Sequence, residues 1–292
     1  MLFRSIPYLY TMNYLTHTEG LPLVQPMYYR NEDHAAYNVP NQFYFGTEML
    51  VCPITKPADK HTLLAEFDAW LPEGDFVDFF TGTHYKGGRK LKLYRNLQTL
   101  PVLVRAGGII PMAADLDSHL GNPQELEVQI FAGADGAFTM YEDKDGSAAT
   151  TTFNFCNGKQ STLTVQTAGD AGVIPENRSY CLKFRGMDKP LAVSADEWEY
   201  DEDAKTLTVR ITGRLDFKVT VERACEGIAA PEKTGAIYDL LHKAQIAYDL
   251  KTEIFQAVSA KADTARILGD LYRMNLESSL LGAVVEQLIC DR

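Results

Sequence analysis

Ser5-Ile6-Pro7-Tyr8-Leu9-Tyr10-Thr11-Met12-Asn13-Tyr14-Leu15-Thr16-His17, followed after Gly20 by the apolar run 21–29, decides how the rest of the chain is read. Tyr8, Met12 and Leu15 stand at helical spacing and Pro7 is tolerated only in a first turn, so a helix ending near Gly20 is expected. The run 21–29 is apolar almost throughout, the pattern of a strand buried on both faces of a parallel sheet. A helix feeding such a strand is half of a βα repeat. No second repeat of this kind follows, so the remaining strands of any parallel sheet or barrel are expected ahead of residue 1.

Downstream the grammar changes to short strands between turn signals. Strands are expected at 42–53, 65–71, 76–80, 90–94 and 101–111, with turns at Pro72-Glu73-Gly74, Thr81-Gly82 and Gly87-Gly88. This spacing argues for an antiparallel sandwich. After a linker around 115–123, a second strand-rich stretch includes 127–131, 137–141, 161–166, 179–184, 206–212 and 217–221. Leu207, Val209 and Ile211 alternate with Thr206, Thr208 and Arg210, which puts one face in a core and predicts a second sandwich. Beyond Pro231 the period becomes helical: Ile237, Leu240, Leu241 and Ala244, then Leu280, Leu281, Val284, Val285 and Leu288. With a break near 259–263, two or three helices are expected, their apolar stripe packed on the second sandwich or on another copy of the chain.

Composition narrows the function classes. The chain has 292 residues, enough for about two compact units, and its 46% hydrophobic and 23% charged residues are ordinary for a globular protein. A net charge of -11 repels phosphate backbones, which argues against nucleic acid as a partner. Cys52, Cys156, Cys181, Cys225 and Cys290 stand far apart with no CxxC pair, the usage of small buried side chains in a reducing compartment, so a cytoplasmic location is expected. No apolar stretch reaches the roughly 18 residues of a membrane span. The sequon Asn177-Arg178-Ser179 reads as a chance match in that compartment.

Few constellations carry chemistry. Tyr141-Glu142-Asp143-Lys144-Asp145-Gly146-Ser147 looks like the start of a calcium loop, but the twelfth position counted from Asp143 is Asn154, where a bidentate Glu is needed. Between two alternating strands the segment reads as a hairpin turn. His17, His34, His61, His84, His119 and His242 form no metal-ligand spacing, and there is no nucleophile elbow, Walker loop or dinucleotide turn. Arg105-Ala106-Gly107-Gly108-Ile109 is too short for a phosphate cradle and reads as a link between strands. Glu48, Asp68, Glu73, Asp75 and Asp78 fall at turns or on strands without aromatic platforms, so no pair among them is assigned catalysis. No catalytic, metal or cofactor residue is assigned, and no cofactor is expected.

Specificity comes from longer motifs. Pro7-Tyr8-Leu9-Tyr10-Thr11, His17, Gly20-Leu21-Pro22 and Gln25-Pro26-Met27 resemble the last helix and strand of the catalytic barrel in glycoside hydrolase family 31. Asn41-Gln42-Phe43, Phe45-Gly46 and Met49-Leu50-Val51-Cys52-Pro53-Ile54 are similar to that family's entry into its proximal sandwich. So are Trp70-Leu71-Pro72-Glu73-Gly74, Asp78-Phe79-Phe80-Thr81-Gly82 and the run from Leu100 through Arg105-Ala106-Gly107-Gly108 to Pro111. Tyr141-Glu142-Asp143-Lys144-Asp145-Gly146 resembles the tyrosine-acid turn of its distal sandwich, which carries the resemblance to about residue 222. Gln25 stands where the family often has Arg.

The resemblance implies a mainly β chain with residues 1–36 as the last helix and strand of a (β/α)8 barrel and antiparallel β-sandwiches at 37–114 and 115–230; the helical tail at 231–292, read from its apolar period, lies beyond the resemblance. The resemblance also implies a retaining exo-α-glycosidase, an α-glucosidase or α-xylosidase, with an Asp nucleophile and an Asp acid/base on earlier barrel strands. The tryptophan-rich nucleophile motif has no counterpart, since Trp70 and Trp198 are the only tryptophans. The chain alone is therefore expected to be inactive, its oligosaccharide or α-glycoside substrate being held by the barrel. The alternatives are a non-catalytic carbohydrate-binding module, for which the sequence shows no planar aromatic triplet, and an oligomerisation module acting through the helical tail.

Overall fold

The computed structural model describes residues 3–114, 121–260 and 262–292. Most of the expected linker at 115–123, with His119, lies outside the described residues. The chain is mainly β, with several antiparallel sheets and a short helical C-terminal tail, and it divides into two compact units. Unit 1 comprises residues 1–25, 44–49 and 104–230, and unit 2 comprises 26–43, 50–103 and 231–292.

In unit 1, helix α1 (Ile6–Glu19) carries Pro in its first turn and ends at Gly20, whose left-handed φ of 69° lets its N–H reach back to Thr16 O. Its inward face buries Tyr8, Thr11 and Met12. Tyr8 Oη donates to Phe45 O at 2.9 Å and accepts from Glu48 N at 3.1 Å. Gly46, at φ 65°, passes so close that a Cβ there would lie 2.2 Å from Tyr8 Oη. The strand expected at 21–29 is only Val24–Pro26, hydrogen-bonded beside Phe43–Phe45, and the chain then turns into a 3-10 helix at Met27–Tyr29. Pro22 and Pro26 remove backbone donors from that run, which keeps its ladder short.

Two five-stranded sheets make the body of unit 1. One has the order Trp198–Asp201, Thr206–Thr212, Ser179–Arg185, Glu125–Phe131, Ile109–Ala113; the other has Gly136–Lys144, Ser147–Cys156, Gln160–Gly169, Phe217–Glu222, Ala192–Val193. Their inner faces meet in ring contacts, Phe155 with Phe184 at 6.1 Å and Tyr180 with Phe217 at 5.0 Å, the arrangement of a β-sandwich. Antiparallel pairing is not universal. Glu125–Phe131 runs parallel to Ser179–Arg185, because three strands of the opposite sheet intervene in the chain and supply the long crossover that parallel neighbours need. Asp145 and Gly146, with φ of 52° and 84°, close the hairpin between Gly136–Lys144 and Ser147–Cys156.

The alternation read at 206–212 is only half realised. Leu207 and Val209 are buried, but so are Thr206 and Thr208, as are Glu127 and Gln129 on the same face, while Ile211 is only half-buried. Long side chains close over that face: Arg4 Nη2 and Lys183 Nζ each bond the Glu127 carboxylate at 2.7 Å, and Gln129 Nε2 donates to it at 2.6 Å. Burial pushes the Glu127 carboxyl up, but the bonds from Lys183 and Arg4 outweigh it and hold the pKa below the ordinary value. A carboxyl so depressed adds stability above its unfolded pKa of about 4.3 and loses it as the pH falls through the lower folded value. We expect Glu127→Gln to flatten the loss of thermal midpoint between pH 7 and pH 3 relative to wild type; parallel curves would remove Glu127 from acid unfolding.

Unit 2 holds the hairpin Asp75–Asp78 with His84–Lys86 and the antiparallel pair Ala65–Leu71 with Arg89–Arg95. Backbone bonds from Cys52 N to Pro101 O and from Phe79 N to Val102 O knit the neighbouring segments. Gln42 is buried and reads both sides of one peptide position: Nε2 donates to Trp70 O at 2.6 Å and Oε1 accepts from Trp70 N at 3.0 Å. The tail has four helices among the described residues, not two or three: α2 (Lys233–Lys243), α3 (Tyr248–Ser259), α4 (Thr264–Arg273) and α5 (Ser278–Ile289). The break expected near 259–263 is found, α3 ending at Ser259 and Asp263 capping α4 by accepting from Arg266 N; the further break after α4, where Asn275 is left-handed at φ 52°, is one that apolar periodicity does not register. Ile237, Leu241, Ile254, Leu271, Leu280 and Val284 form a core shared by these helices. The tail also packs on the strand Arg89–Arg95 within unit 2, where the sequence reading put it against residues 115–230 or a second copy.

Candidate functional site

Each carboxylate singled out in the sequence has a structural occupation. Glu48 Oε2 accepts from Ile109 N at 3.2 Å. Asp68 and Glu66, two apart on one strand face, share Lys92 and Lys56. Asp75 takes His84 Nε2 at 2.8 Å and Lys86 Nζ at 3.0 Å, and the Glu73 carboxylate lies against Gly88. Burial pushes the Asp75 carboxyl up, but its bonds to His84 and Lys86 outweigh that and hold it low; a bond from Lys92 is the main cause of a low Asp68. A glycosidic general acid needs the opposite displacement, upward. These groups are anchors of the sheet.

Asp78 belongs to a buried polar cluster in unit 2. It is fully buried, its Oδ1 caps the turn by accepting from Phe80 N and Thr81 N, and its Oδ2 takes Arg95 Nη2 at 2.8 Å. Arg95 turns its other amino group to Glu286 Oε1 at 2.8 Å, and that oxygen also accepts from Tyr85 Oη at 2.6 Å. Glu286 Oε2 accepts from Tyr94 N at 2.8 Å. Burial pushes the Tyr85 phenol well above its usual range. Burial alone would weaken the Arg95 charge, but the surrounding Tyr85, Glu286 and Asp78 reverse that and raise its pKa further. Asp78 was legible as part of a turn motif; Glu286 was not, although a lone acid among Leu280, Val284 and Leu288 is a sequence signal for a buried charge that must find a cation.

In unit 1 the tyrosine-acid segment is a support for α1. Tyr14 stacks on Tyr141 at 3.7 Å and 5°, Tyr10 Oη donates to Asp143 Oδ1 at 2.6 Å, and Tyr141 N donates to Thr11 Oγ1 at 3.1 Å. The bond to Asp143 pushes the Tyr10 phenol up to about 12. Glu142 points the other way, into the sandwich, and meets Arg178 as a fork: Nη1 to Oε2 at 2.8 Å and Nη2 to Oε1 at 2.5 Å. Beside this pair lies a cleft of about 870 Å³ lined by Asn122, Asp143, Glu176, Arg178 and Arg214 among others, with no aromatic ring in its wall. No group of three or more His, Cys, Asp or Glu side chains among the described residues is placed to hold a metal.

The structure assembles one feature that the sequence reading missed. Tyr28 and Tyr37 lie parallel, 7° apart with centroids at 4.9 Å, and Tyr29 meets Tyr28 edge-on at 5.4 Å. The three rings are 43%, 62% and 62% exposed for Tyr28, Tyr29 and Tyr37, so unit 2 does carry an exposed aromatic set. The 3-10 helices Met27–Tyr29 and His34–Asn38 bring it together. The thiols are mixed: Cys52 and Cys290 are buried, with burial pushing Cys290 up to about 11, while Cys156 and Cys225 are exposed. The expectation of uniformly buried cysteines is therefore corrected.

Against known proteins, residues 20–110 match the family described as Glycosyl hydrolase family 31 C-terminal domain. The chain is 28% identical to an α-xylosidase of Saccharolobus solfataricus over 147 residues, covering 48% of this chain and 19% of that protein. It is 28% identical to α-glucosidase 2 of Bacillus thermoamyloliquefaciens over 160 residues, 53% of this chain and again 19% of the relative. The chain thus spans about a fifth of these relatives. Among solved structures, a family 31 dextranase of Flavobacterium johnsoniae complexed with glucose superposes with a TM-score of 0.66 at 24% identity, covering 76% of this chain and 31% of that one; the likeness is one of fold.

Proposed function

Since residues 20–110 are a family 31 glycosyl hydrolase C-terminal domain, we propose that the chain is the C-terminal part of a retaining exo-α-glycosidase acting on α-linked glucosides or xylosides. On this reading residues 1–36 are the end of a (β/α)8 barrel, with Val24–Pro26 as the hand-over into the sheets. Residues 37–114 and 115–230 are the proximal and distal sandwiches that brace the barrel, and 231–292 is an added helical tail. The nucleophile and the acid/base are aspartates of the barrel, upstream of these residues, and the barrel holds the oligosaccharide or α-glycoside substrate. The location is cytoplasmic, in keeping with five unpaired thiols.

The observation that carries the proposal is the domain match, joined to the small share of each relative that the chain spans. Its physical support is that one helix and one short strand cannot close an eight-stranded barrel, whose pocket is built from loops after several strands. The purified chain is expected to show no turnover of an aryl α-glucoside or α-xyloside, and measurable turnover lost on replacing any carboxylate of this chain would overturn the reading. Reading the coding sequence immediately upstream tests it from the other side, since an in-frame barrel with two Asp motifs is required.

A second reading, a non-catalytic sugar-binding surface, is favoured by the Tyr28, Tyr29 and Tyr37 set, because exposed tyrosine faces stack on pyranose rings. Titration with maltose and xylose oligosaccharides decides it: saturable binding abolished by Tyr37→Ala supports it, and a flat titration removes it.

A further inference from the structure

The tail lies outside the family-matched segment, and its contacts give it a role. We infer that residues 231–292 are a strap recognised by the sheet Ala65–Leu71 with Arg89–Arg95 through Gly282 and Glu286 of α5, and that its docking holds the Asp78 turn in shape. This inference does not depend on the glycosidase reading.

Two features show a docked module rather than a simple extension of the sheet's core. The tail has an apolar core of its own, drawn from all four helices. Its attachment to the sheet is keyed by shape and by polar contacts. Gly282 and Glu286 stand four residues apart and so share one helix face. A Cβ on Gly282 would lie 2.1 Å from Tyr94 Oη and 2.6 Å from its Cζ, so only a glycine lets the helix approach Tyr94 this closely. One turn on, Glu286 satisfies Tyr94 N, Tyr85 Oη and Arg95 Nη1 together. The end of α5 is held as well: Arg89 Nη2 donates to Ile289 O at 3.0 Å and to Cys290 O, and Lys86 N donates to Cys290 O at 2.8 Å. A guanidinium at the carbonyl end of a helix complements its dipole. Lys233 Nζ bonds Asp291 Oδ1 at 2.6 Å and ties α2 to the same corner.

The consequence reaches the turn. Arg95 is shared between Glu286 of the tail and Asp78 of the sheet, and Asp78 in turn fixes the amides of Phe80 and Thr81. Removing Glu286 frees one arm of the guanidinium to compete for Asp78 Oδ1, the oxygen that now caps the turn. The tail therefore sets the shape of a loop far from it in sequence.

The test keeps the whole chain and places a specific protease site between Ala230 and Pro231. After cleavage, the wild-type tail should co-elute with the remainder on size exclusion at micromolar concentration. Glu286→Gln should weaken that association at least tenfold and speed amide exchange at Phe80 and Thr81 at least tenfold. Gly282→Ala is the second variant. Alanine favours a helix, so a tail stabilised only from within would hold as well or better, whereas a docked tail should dissociate more readily. Separation of the cut wild-type halves, or retention in both variants with unchanged exchange at Phe80 and Thr81, would overturn the proposal.

Discussion

Arg95→Met is expected to lower folding stability by about 3–5 kcal/mol, because it strands two buried carboxylates at once. The side chains of Asp78 and Glu286 are 0% and 2% exposed, and Arg95 is the cation that both of them contact. Methionine fills much of the arginine volume, so packing loss alone cannot account for the effect. Adding Glu286→Gln to Arg95→Met should recover a portion of the loss, a coupling that a double-mutant cycle measures directly.

What was legible in the sequence is what depends on neighbours along the chain. Pro7 and Gly20 bracket α1 within a residue or two, and Asp145-Gly146 closes its hairpin where the turn residues place it. The alternation at 179–184 gives buried Tyr180, Leu182 and Phe184. What was not legible depends on partners far away. Glu286 finds its cation only when the fold brings Arg95 to it across 191 positions. The parallel pair in unit 1 depends on where the chain returns after three strands, and the Tyr28, Tyr29 and Tyr37 set on two 3-10 turns that no periodicity announces. Prolines shortened the run 21–29 where hydrophobicity alone promised a full strand. Of the candidate site, the motif around Asp78 was visible, but the tail that completes it was not.

Arg178→Lys should cost unit 1 about 2–3 kcal/mol, and Arg178→Ala about 3–5 kcal/mol, although each changes a single side chain. Glu142 occupies an inward position of Gly136–Lys144, in step with buried Phe138 and Met140, where the strand pattern calls for an apolar residue. It is tolerated there because Arg178, 2% exposed, meets both its oxygens and spends Nε on Pro123 O at 2.9 Å. A lysine offers one ammonium where the carboxylate and the carbonyl need three N–H groups in fixed directions, so some partners are left unsatisfied. The same geometry predicts an asymmetry. Glu142→Leu alone strands the guanidinium, while Glu142→Leu combined with Arg178→Leu removes both desolvated charges at the cost of the donor to the Pro123 carbonyl. The double variant should therefore unfold at a higher denaturant midpoint than either Glu142→Leu or Arg178→Ala. If instead the losses simply add, the pair is not a mutually compensated charge, and Glu142 must hold the hairpin by contacts other than Arg178.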